Sequence, residues 1–229
     1  MSRTPTQLLR RHQLSVRHPT ITLSNTRTFL TSSITPALNL SATRTLPYSA
    51  SALFPLIADV ASYPSFVPFC TSADIRTHAA SSTSSTTRYP AVAELSVGLP
   101  SRGLAESFTS LVFCAPNSSV EALCGASAGP PSIPAEELAH YSREQLGARP
   151  ADSGLVNSLR TRWTLREEVG SDHGEGVKSR LRTDVLLSIE VKWKSPIYAM
   201  MSQALAPTVA DRIVRAFEER ARTVLGEGQ

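Results

Sequence analysis

Alternating apolar and polar residues predict a series of β-strands along most of the chain. The clearest case is "RLRTDVLLSIEVKWK" (180–194), in which every second residue from Leu181 to Trp193 is apolar, apart from Thr183. A period of two places these residues on one face of a strand and the charged residues mostly on the other. Weaker alternation predicts further strands over 39–49, 89–99, 104–115, 118–126 and 155–168.

Two other segments have the periodicity of helices. Residues 50–61 predict a short helix, which Tyr63-Pro64 should end, because the residue before a proline avoids the α-helical region. Residues 196–225 predict a long helix with Pro207 inside it, and this proline is expected to kink or split the helix. The apolar stripe of the long helix recurs every four residues. It consists of Ile197, Met201, Leu205, Val209, Ile213 and Phe217.

The order of these elements predicts the fold class. One strand and one short helix precede several antiparallel strands, and one long helix ends the series. A sheet with one apolar face must be covered, and only the last helix is long enough to cover it. The sequence therefore predicts an α+β fold, a curved antiparallel sheet wrapped around a long C-terminal helix. Residues 126–153 are predicted to form a surface insertion around the short helix "AEELAHYSREQL", and 81–87 and 170–176 to form solvated loops.

The formal net charge of +4 is concentrated at the N-terminus. Residues 1–58 contain six arginines, no lysine and no acidic residue, whereas 59–229 carry 17 basic and 19 acidic residues. The balance of −2 in the second segment argues against a nucleic-acid-binding face. Residues 1–36 have the Arg-, Ser- and Thr-rich, acid-free composition of a mitochondrial transit peptide, and "RTFLTS" within them is similar to a processing site. A disordered basic tail is the alternative.

The sequence contains no recognisable catalytic constellation. Cys70, Cys114 and Cys124 are odd in number, have no metal-ligand spacing and are predicted to be reduced thiols in the core. There is no phosphate-binding glycine loop, no paired-histidine zinc motif and no apolar run long enough to cross a membrane. Glu106 shares a strand face with apolar residues and could serve as acid or base, although a solvated or hydrogen-bonded carboxylate is the more common role.

The segment "IADVASYPSFVPFC" (57–70) is unusually apolar for a region that cannot form a regular helix. It contains two prolines and three aromatic rings and has no charge after Asp59. One interpretation is a lid over an apolar cavity, or a surface that dips into a bilayer. The other is a structural loop that seals one end of the core. The residues that would form the lid or membrane contact are Tyr63, Phe66, Val67 and Phe69.

Five short segments of the sequence resemble those of the coenzyme Q-binding proteins in the START-like, polyketide-cyclase-type superfamily. These segments are "LPYSASALFPLIADVASYPSFVPFC", "AELSVGL", "ESFTS", "TDVLLSIEV" and "AFEERA". They occur in the family's order and cover roughly residues 41–225, apart from the insertion at 126–153. The resemblance implies the helix-grip fold, which encloses an apolar cavity between the sheet and the long helix. Pro207 and the insertion depart from the family pattern.

The resemblance also implies a function. It indicates a non-enzymatic carrier of ubiquinone or its prenylated precursors, with ubiquinone as the bound ligand and no other cofactor. Such a protein would support respiratory electron transport and ubiquinone synthesis. It would lie peripherally on the matrix side of the mitochondrial inner membrane and could contact quinone-synthesis or respiratory complexes. The alternatives are a cyclase- or hydrolase-type enzyme with Glu106 as base, and a module that interacts with the mitochondrial ribosome.

The apolar faces that must oppose each other define the predicted binding site. The folded domain is expected to cover residues 37–225, with 226–229 as a tail. Within it, inward-pointing residues of the strands and the long helix should line the cavity. These residues are Leu95, Val97, Phe108, Trp163, Leu187, Ile189, Met201 and Leu205.

Overall fold

A computed structural model describes residues 37–79, 88–99, 104–169 and 181–226. The side chains of Leu99, Leu104, Val169 and 204–207 are also outside the description. The transit peptide predicted at 1–36, the loop predicted at 81–87 and most of the predicted tail lie outside the described residues. The loop predicted at 170–176 lies outside them too.

Seven antiparallel strands form one sheet in the described part of the chain. Their order in the sheet is β1-β7-β6-β5-β4-β3-β2, so that the first and last strands of the chain pair with each other. The six predicted strands are all present. The strands are β1 (Leu38–Leu46), β2 (Cys70–His78), β3 (Pro90–Leu99), β4 (Leu104–Ala115), β5 (Ser119–Cys124), β6 (Val156–Val169) and β7 (Leu181–Trp193).

Strand β2 was missed by the pattern of apolar residues. It lies at the edge of the sheet, paired only with β3, and most of its side chains are half-buried or exposed. A strand that buries little apolar surface shows little alternation in its sequence.

Three α-helices and two 3₁₀-helices complete the described structure. They are α1 (Ala50–Ala58), a 3₁₀-helix (Val60–Ser65), a second 3₁₀-helix (Ala135–Leu138), α2 (Arg143–Gly147) and α3 (Pro196–Leu225). Ser49 caps α1 by accepting a hydrogen bond from the Ala52 N–H at 3.1 Å. The α-helix ends at Ala58, earlier than predicted, and the 3₁₀-helix continues the chain through Tyr63-Pro64. Helix α3 runs through Pro207 as one helix, so the predicted split does not occur.

The inner face of the sheet holds the main core. Trp163, Val185 and Leu187 from the sheet are buried there together with Val214 and Phe217 of α3. Helix α1 contributes a second group of buried residues to the same core, Leu53, Phe54 and Ile57. Each fully buried side chain of this size stabilises the fold by about 1.5–3 kcal/mol.

The outer face of the sheet is also apolar, and the insertion covers part of it. Along β4, Val112 belongs to the main core, whereas its neighbour Phe113 belongs to a separate outer cluster. Ile133, Leu138 and Tyr141 of the insertion are buried in that outer cluster. The insertion therefore packs against the sheet, and alternating residues of β4 are buried on both faces.

A buried ion pair fastens the insertion to the sheet. Glu121 of β5 is fully buried, and its carboxylate accepts hydrogen bonds from Arg160 and from the backbone and side chain of Ser132. Arg160 also donates to the carbonyls of Ala128 and Pro130, at 2.7 and 2.9 Å. Because every partner in this group is hydrogen-bonded, the buried carboxylate is compensated.

Candidate functional site

Strand register brings six of the predicted cavity residues onto the inner face of the sheet. Leu95 lies opposite Phe108, and Trp163 lies opposite Leu187. Residues directly opposite in an antiparallel pair point to the same side. The six residues that share this face are Leu95, Val97, Phe108, Trp163, Leu187 and Ile189. Their contact with a ligand stays a prediction.

These residues do not form one continuous cluster. Trp163 and Leu187 are buried in the main core, and the Trp163 ring lies 5.2 Å from the Phe217 ring. Leu95 and Ile189 are partly buried against that core. Phe108 instead belongs to a second apolar group, which we call the end cluster. Its buried members are Phe108, Cys124, Val156 and Val191, with Leu38, Leu155, Leu159 and Trp193 packed against them.

The end cluster extends the apolar inner face beyond the main core. Trp193, the last residue of β7, packs against this cluster, and α3 begins three residues later. Val97, on the inner face at the other side of the sheet, is 36% exposed. The inner face thus remains apolar beyond the part that α1 and the second half of α3 bury.

Met201 does not lie on the inner face, and its predicted orientation is wrong. It is 61% exposed, and Ile197, which begins the same predicted stripe, is 67% exposed. Phe217, at the other end of the stripe, is fully buried. Residues spaced strictly four apart drift by about 40° at each step of an α-helix, so Ile197 and Phe217 are roughly 200° apart. Leu205 lies in α3 at a position whose side chain is outside the description.

The segment from Tyr63 to Phe69 bridges α1 and α3. Tyr63 is buried, its hydroxyl donates to the Ile57 carbonyl at 2.6 Å, and burial raises the pKa of its phenol. The Phe66 ring lies 5.6 Å from that of Tyr63 and 6.5 Å from that of Phe217. The Arg220 guanidinium stands over the Phe66 ring at 5.9 Å.

These contacts favour the interpretation of the segment as a seal over the main core. Tyr63 is buried, and Phe66, Val67 and Phe69 are each half-buried, so none of the four presents a fully exposed ring or side chain. Phe69 has a φ of 69°, an uncommon conformation for a bulky residue, and its carbonyl accepts from the Gly98 N–H at 2.9 Å. Their predicted role as lid or membrane contact stays a prediction.

Glu106 and the three cysteines are titratable groups to consider near the inner face. Glu106 lies opposite Val97 and is half-buried. All three cysteines are free and buried, as predicted, and burial raises the pKa of the Cys114 thiol to about 12. A thiol with such a pKa is protonated at neutral pH and is a poor nucleophile. Within the described ranges, no helix combines the length and apolar character needed to cross a membrane.

Two surface grooves lie away from these residues. One, of about 500 Å³, runs between Pro68 and the charged side of α3 around Arg212 and Arg215. The other, of about 410 Å³, lies between α1 and the strand ends at His78 and Tyr89. Charged residues line part of both grooves, including Asp211 and Arg215 in the first and Asp59 and Arg88 in the second.

A curved antiparallel sheet with an apolar inner face and a long C-terminal helix is the architecture of helix-grip proteins. Sequence comparison identifies the family. The chain belongs to the polyketide cyclase / dehydrase and lipid transport family, whose model matches residues 46–218. It is similar to the "Coenzyme Q-binding protein coq10, mitochondrial" of Schizosaccharomyces pombe, with 30% identity over 181 residues. That alignment covers 79% of this chain and 85% of the relative.

Solved structures confirm the predicted α+β, helix-grip fold class. A START superfamily protein from Mycobacterium smegmatis matches with a TM-score of 0.53 and 16% identity, over 82% of this chain and 99% of the other. The Zhui aromatase/cyclase from Streptomyces sp. R1128 matches with a TM-score of 0.53 and 14% identity, over 84% of this chain and 99% of the other. At these identities the similarity concerns the fold alone.

Proposed function

We propose that this protein binds coenzyme Q or a prenylated precursor on the inner face of its sheet and carries it without changing it chemically. The observation that carries the proposal is the 30% identity to a coenzyme Q-binding protein over most of both chains. The apolar inner face supports it, because an isoprenoid tail leaves a membrane only for a surface of comparable apolar character. Each buried CH₂ of such a tail contributes about 0.8 kcal/mol.

The proposed ligand position lies between the main core and the end cluster. Ile189 and Leu95 are only partly buried against the main core, and Phe108 is a buried member of the end cluster. Side chains with remaining exposure on an otherwise apolar face are suited to contact a tail without disrupting the packing beneath. Trp163 and Leu187, which are almost fully buried, would form the floor of the site.

Extraction of bound lipid tests this function directly. The full chain, purified from a host that makes ubiquinone, should yield coenzyme Q or a precursor on solvent extraction, identified by mass. It should also take up coenzyme Q from quinone-loaded vesicles. A purified protein that carries no quinone and takes up none would contradict the proposal.

A matched pair of substitutions tests the position of the ligand. Ile189→Trp places a larger ring on the inner face and should lower the amount of bound quinone severalfold. Leu186→Trp is the control, because Leu186 is similarly half-buried on the same strand but points to the opposite face. Equal loss of quinone in both variants, or in neither, would place the ligand elsewhere.

An enzymatic role on the same fold is the second candidate. The structural similarity to an aromatase/cyclase and the half-buried position of Glu106 on the inner face favour it. In that case the Glu106 carboxylate would act as a general base on the bound ligand. The wild type would then convert its ligand, which mass spectrometry would detect as a change of ligand mass. Glu106→Gln would bind the ligand but leave its mass unchanged. A carrier would return its ligand unchanged with either side chain.

The proposed location is the matrix side of the mitochondrial inner membrane, with residues 1–36 as a transit peptide. The mitochondrial relative and the acid-free, arginine-rich N-terminus support this location. Quinone-synthesis and respiratory complexes are the proposed recipients of the ligand. Fusion of residues 1–36 to a fluorescent reporter should direct the reporter into mitochondria, and replacement of the arginines by glutamine should leave it in the cytosol.

A further inference from the structure

The first two turns of α3 expose an unusual amount of apolar surface. Four large side chains near the start of the helix are solvent-exposed, which is uncommon for residues so close together. They are Ile197 at 67%, Tyr198 at 44%, Met200 at 72% and Met201 at 61%. We call these four residues the α3 apolar surface.

The α3 apolar surface occupies one side of the helix. At about 100° per residue, the four side chains lie within an arc of roughly 160°. Ala199, which is only 6% exposed, lies on the opposite side of the helix from the centre of this arc. One side of these turns therefore packs against the protein, and the apolar arc faces directly away from it.

Charge distribution along α3 shows that this arc is not an ordinary solvated face. Residues 195–210 contain no acidic or basic residue, whereas 211–222 contain seven. A helix face in water normally carries charged residues, as the second part of α3 does. An uncharged segment with exposed methionines and an isoleucine is suited to contact with an apolar medium such as the acyl chains of a lipid bilayer.

An aromatic residue, Trp193, borders the α3 apolar surface. The Trp193 ring lies 6.2 Å from that of Tyr198, and Trp193 also packs against the end cluster. Tryptophan and tyrosine concentrate at the level of lipid headgroups.

We propose that the α3 apolar surface docks the protein on a lipid bilayer, with Ile197, Met200 and Met201 entering the boundary between headgroups and acyl chains. The proposal rests on the proposed function, because a lipid carrier must meet a membrane. The continuity of apolar surface supports the proposal, because Trp193 links the α3 apolar surface to the end cluster of the inner face. A quinone tail could then move from the bilayer to the inner face over apolar surface.

The size of the surface favours a bilayer over a second copy of the chain. A stable protein interface buries about 800 Å² from each partner and includes polar contacts. Four side chains on two turns of a convex helix fall well short of that area. A bilayer requires no complementary shape, and an amphipathic helix enters it by its apolar face alone.

Vesicle binding by matched variants tests the docking surface. The full chain is mixed with quinone-free vesicles of phosphatidylcholine and phosphatidylglycerol, and the bound fraction is measured by flotation. Ile197→Glu combined with Met200→Glu should lower the partition coefficient by roughly tenfold to a hundredfold, because two apolar side chains lose their burial. Val224→Glu is the control, since Val224 is 46% exposed on the same helix but lies outside the docking surface. It should change the partition coefficient less than twofold.

Two further measurements separate docking from the proposed function and from self-association. Binding of a short-tailed, water-soluble quinone in the absence of vesicles should be the same in the double variant and the wild type. Light scattering should give the same molar mass for both. Vesicle binding that survives in the double variant would overturn the proposal, and so would a dimer that the double variant dissociates. Wild-type protein that binds vesicles but no quinone would contradict the proposed function. It would not contradict the proposal that the α3 apolar surface docks on a bilayer.

Discussion

The two parts of α3 relate to their surroundings in opposite ways. From Ala210 onward the helix buries an apolar side, with Val214, Phe217 and Ala221 fully enclosed in the main core. Its other side is charged, and Asp211 and Glu218 form ion pairs one turn along the helix with arginines. Before Ala210 the helix has no charge, and four of its large apolar side chains are exposed, those of Ile197, Tyr198, Met200 and Met201.

This difference is what the proposal of a docking role for the first part of α3 requires. The second part stabilises the fold, since burial of an apolar side against the sheet is the main source of helix stability in proteins. In the first part, Ile197, Tyr198, Met200 and Met201 expose apolar surface to water instead of burying it. Substitutions in the two parts should therefore separate stability from membrane and ligand binding, and the expected effects differ in size.

The largest effect is expected from Phe217→Ala. Phe217 is fully buried and contacts the rings of Trp163 and Phe66. Its removal leaves a cavity between α3 and the sheet, so we expect the free energy of unfolding to fall by about 3–5 kcal/mol. Urea unfolding followed by circular dichroism measures this loss. A fall of less than about 1 kcal/mol would mean that the second part of α3 is not the main support of the sheet.

Pro207→Ala should act at the boundary between the two parts, and in the opposite direction. Proline inside a helix lacks an N–H donor and clashes with the preceding turn, which costs about 3 kcal/mol relative to alanine. We expect the substitution to raise the free energy of unfolding by about 1–3 kcal/mol, measured in the same way. Destabilisation would show that the fold depends on the local geometry that proline imposes.

Arg44→Ala should have a smaller effect on the packed part. Arg44 of β1 pairs with Asp211 at 2.6 Å and approaches Glu218 at 3.7 Å, and all three side chains are partly exposed. Partly exposed ion pairs contribute about 0.2–1 kcal/mol, and salt screens them. The loss should shrink when unfolding is measured at high salt. An unchanged loss at high salt would indicate that packing of the arginine stem, rather than its charge, accounts for the effect.

The smallest effect on stability is expected from Met200→Ala. Met200 is 72% exposed, so its truncation removes few contacts and should change the free energy of unfolding by less than about 0.5 kcal/mol. The same substitution should weaken vesicle binding measurably. A large loss of stability would mean that the start of α3 packs against the protein in solution, and the contrast between the two parts would fail.

The alternating pattern of apolar residues predicted the inner face of the sheet correctly in its central strands. Leu187 and Trp163 were placed on the inner face from period-two alternation, and the register of β6 with β7 puts them opposite each other. The pattern was uninformative for β2, an edge strand that buries little. It was misleading for Met201, because a spacing of four was treated as one face of a helix although the face rotates with every step.

The insertion shows a different limit of sequence reasoning. Its Gly- and Pro-rich composition indicated a loop, but Ile133, Leu138 and Tyr141 are buried against the outer face of β4 and β5. Glu121 gave no sequence signal of its role, since its partners Ser132 and Arg160 lie 11 and 39 residues away. Contacts between residues so distant in the chain depend on how the sheet folds back on itself.

By itself, the sequence determined six of the seven described strands, the two main helices, the fold class and the family, because these depend on local periodicity and on short stretches of contiguous residues. Only the tertiary structure decided which part of α3 is buried, that the Tyr63–Phe69 segment packs onto Phe217, and that the insertion covers a second apolar face. The physical reason is that periodicity reports which residues share a side of an element. The position of the neighbouring elements decides whether that side meets protein or remains open.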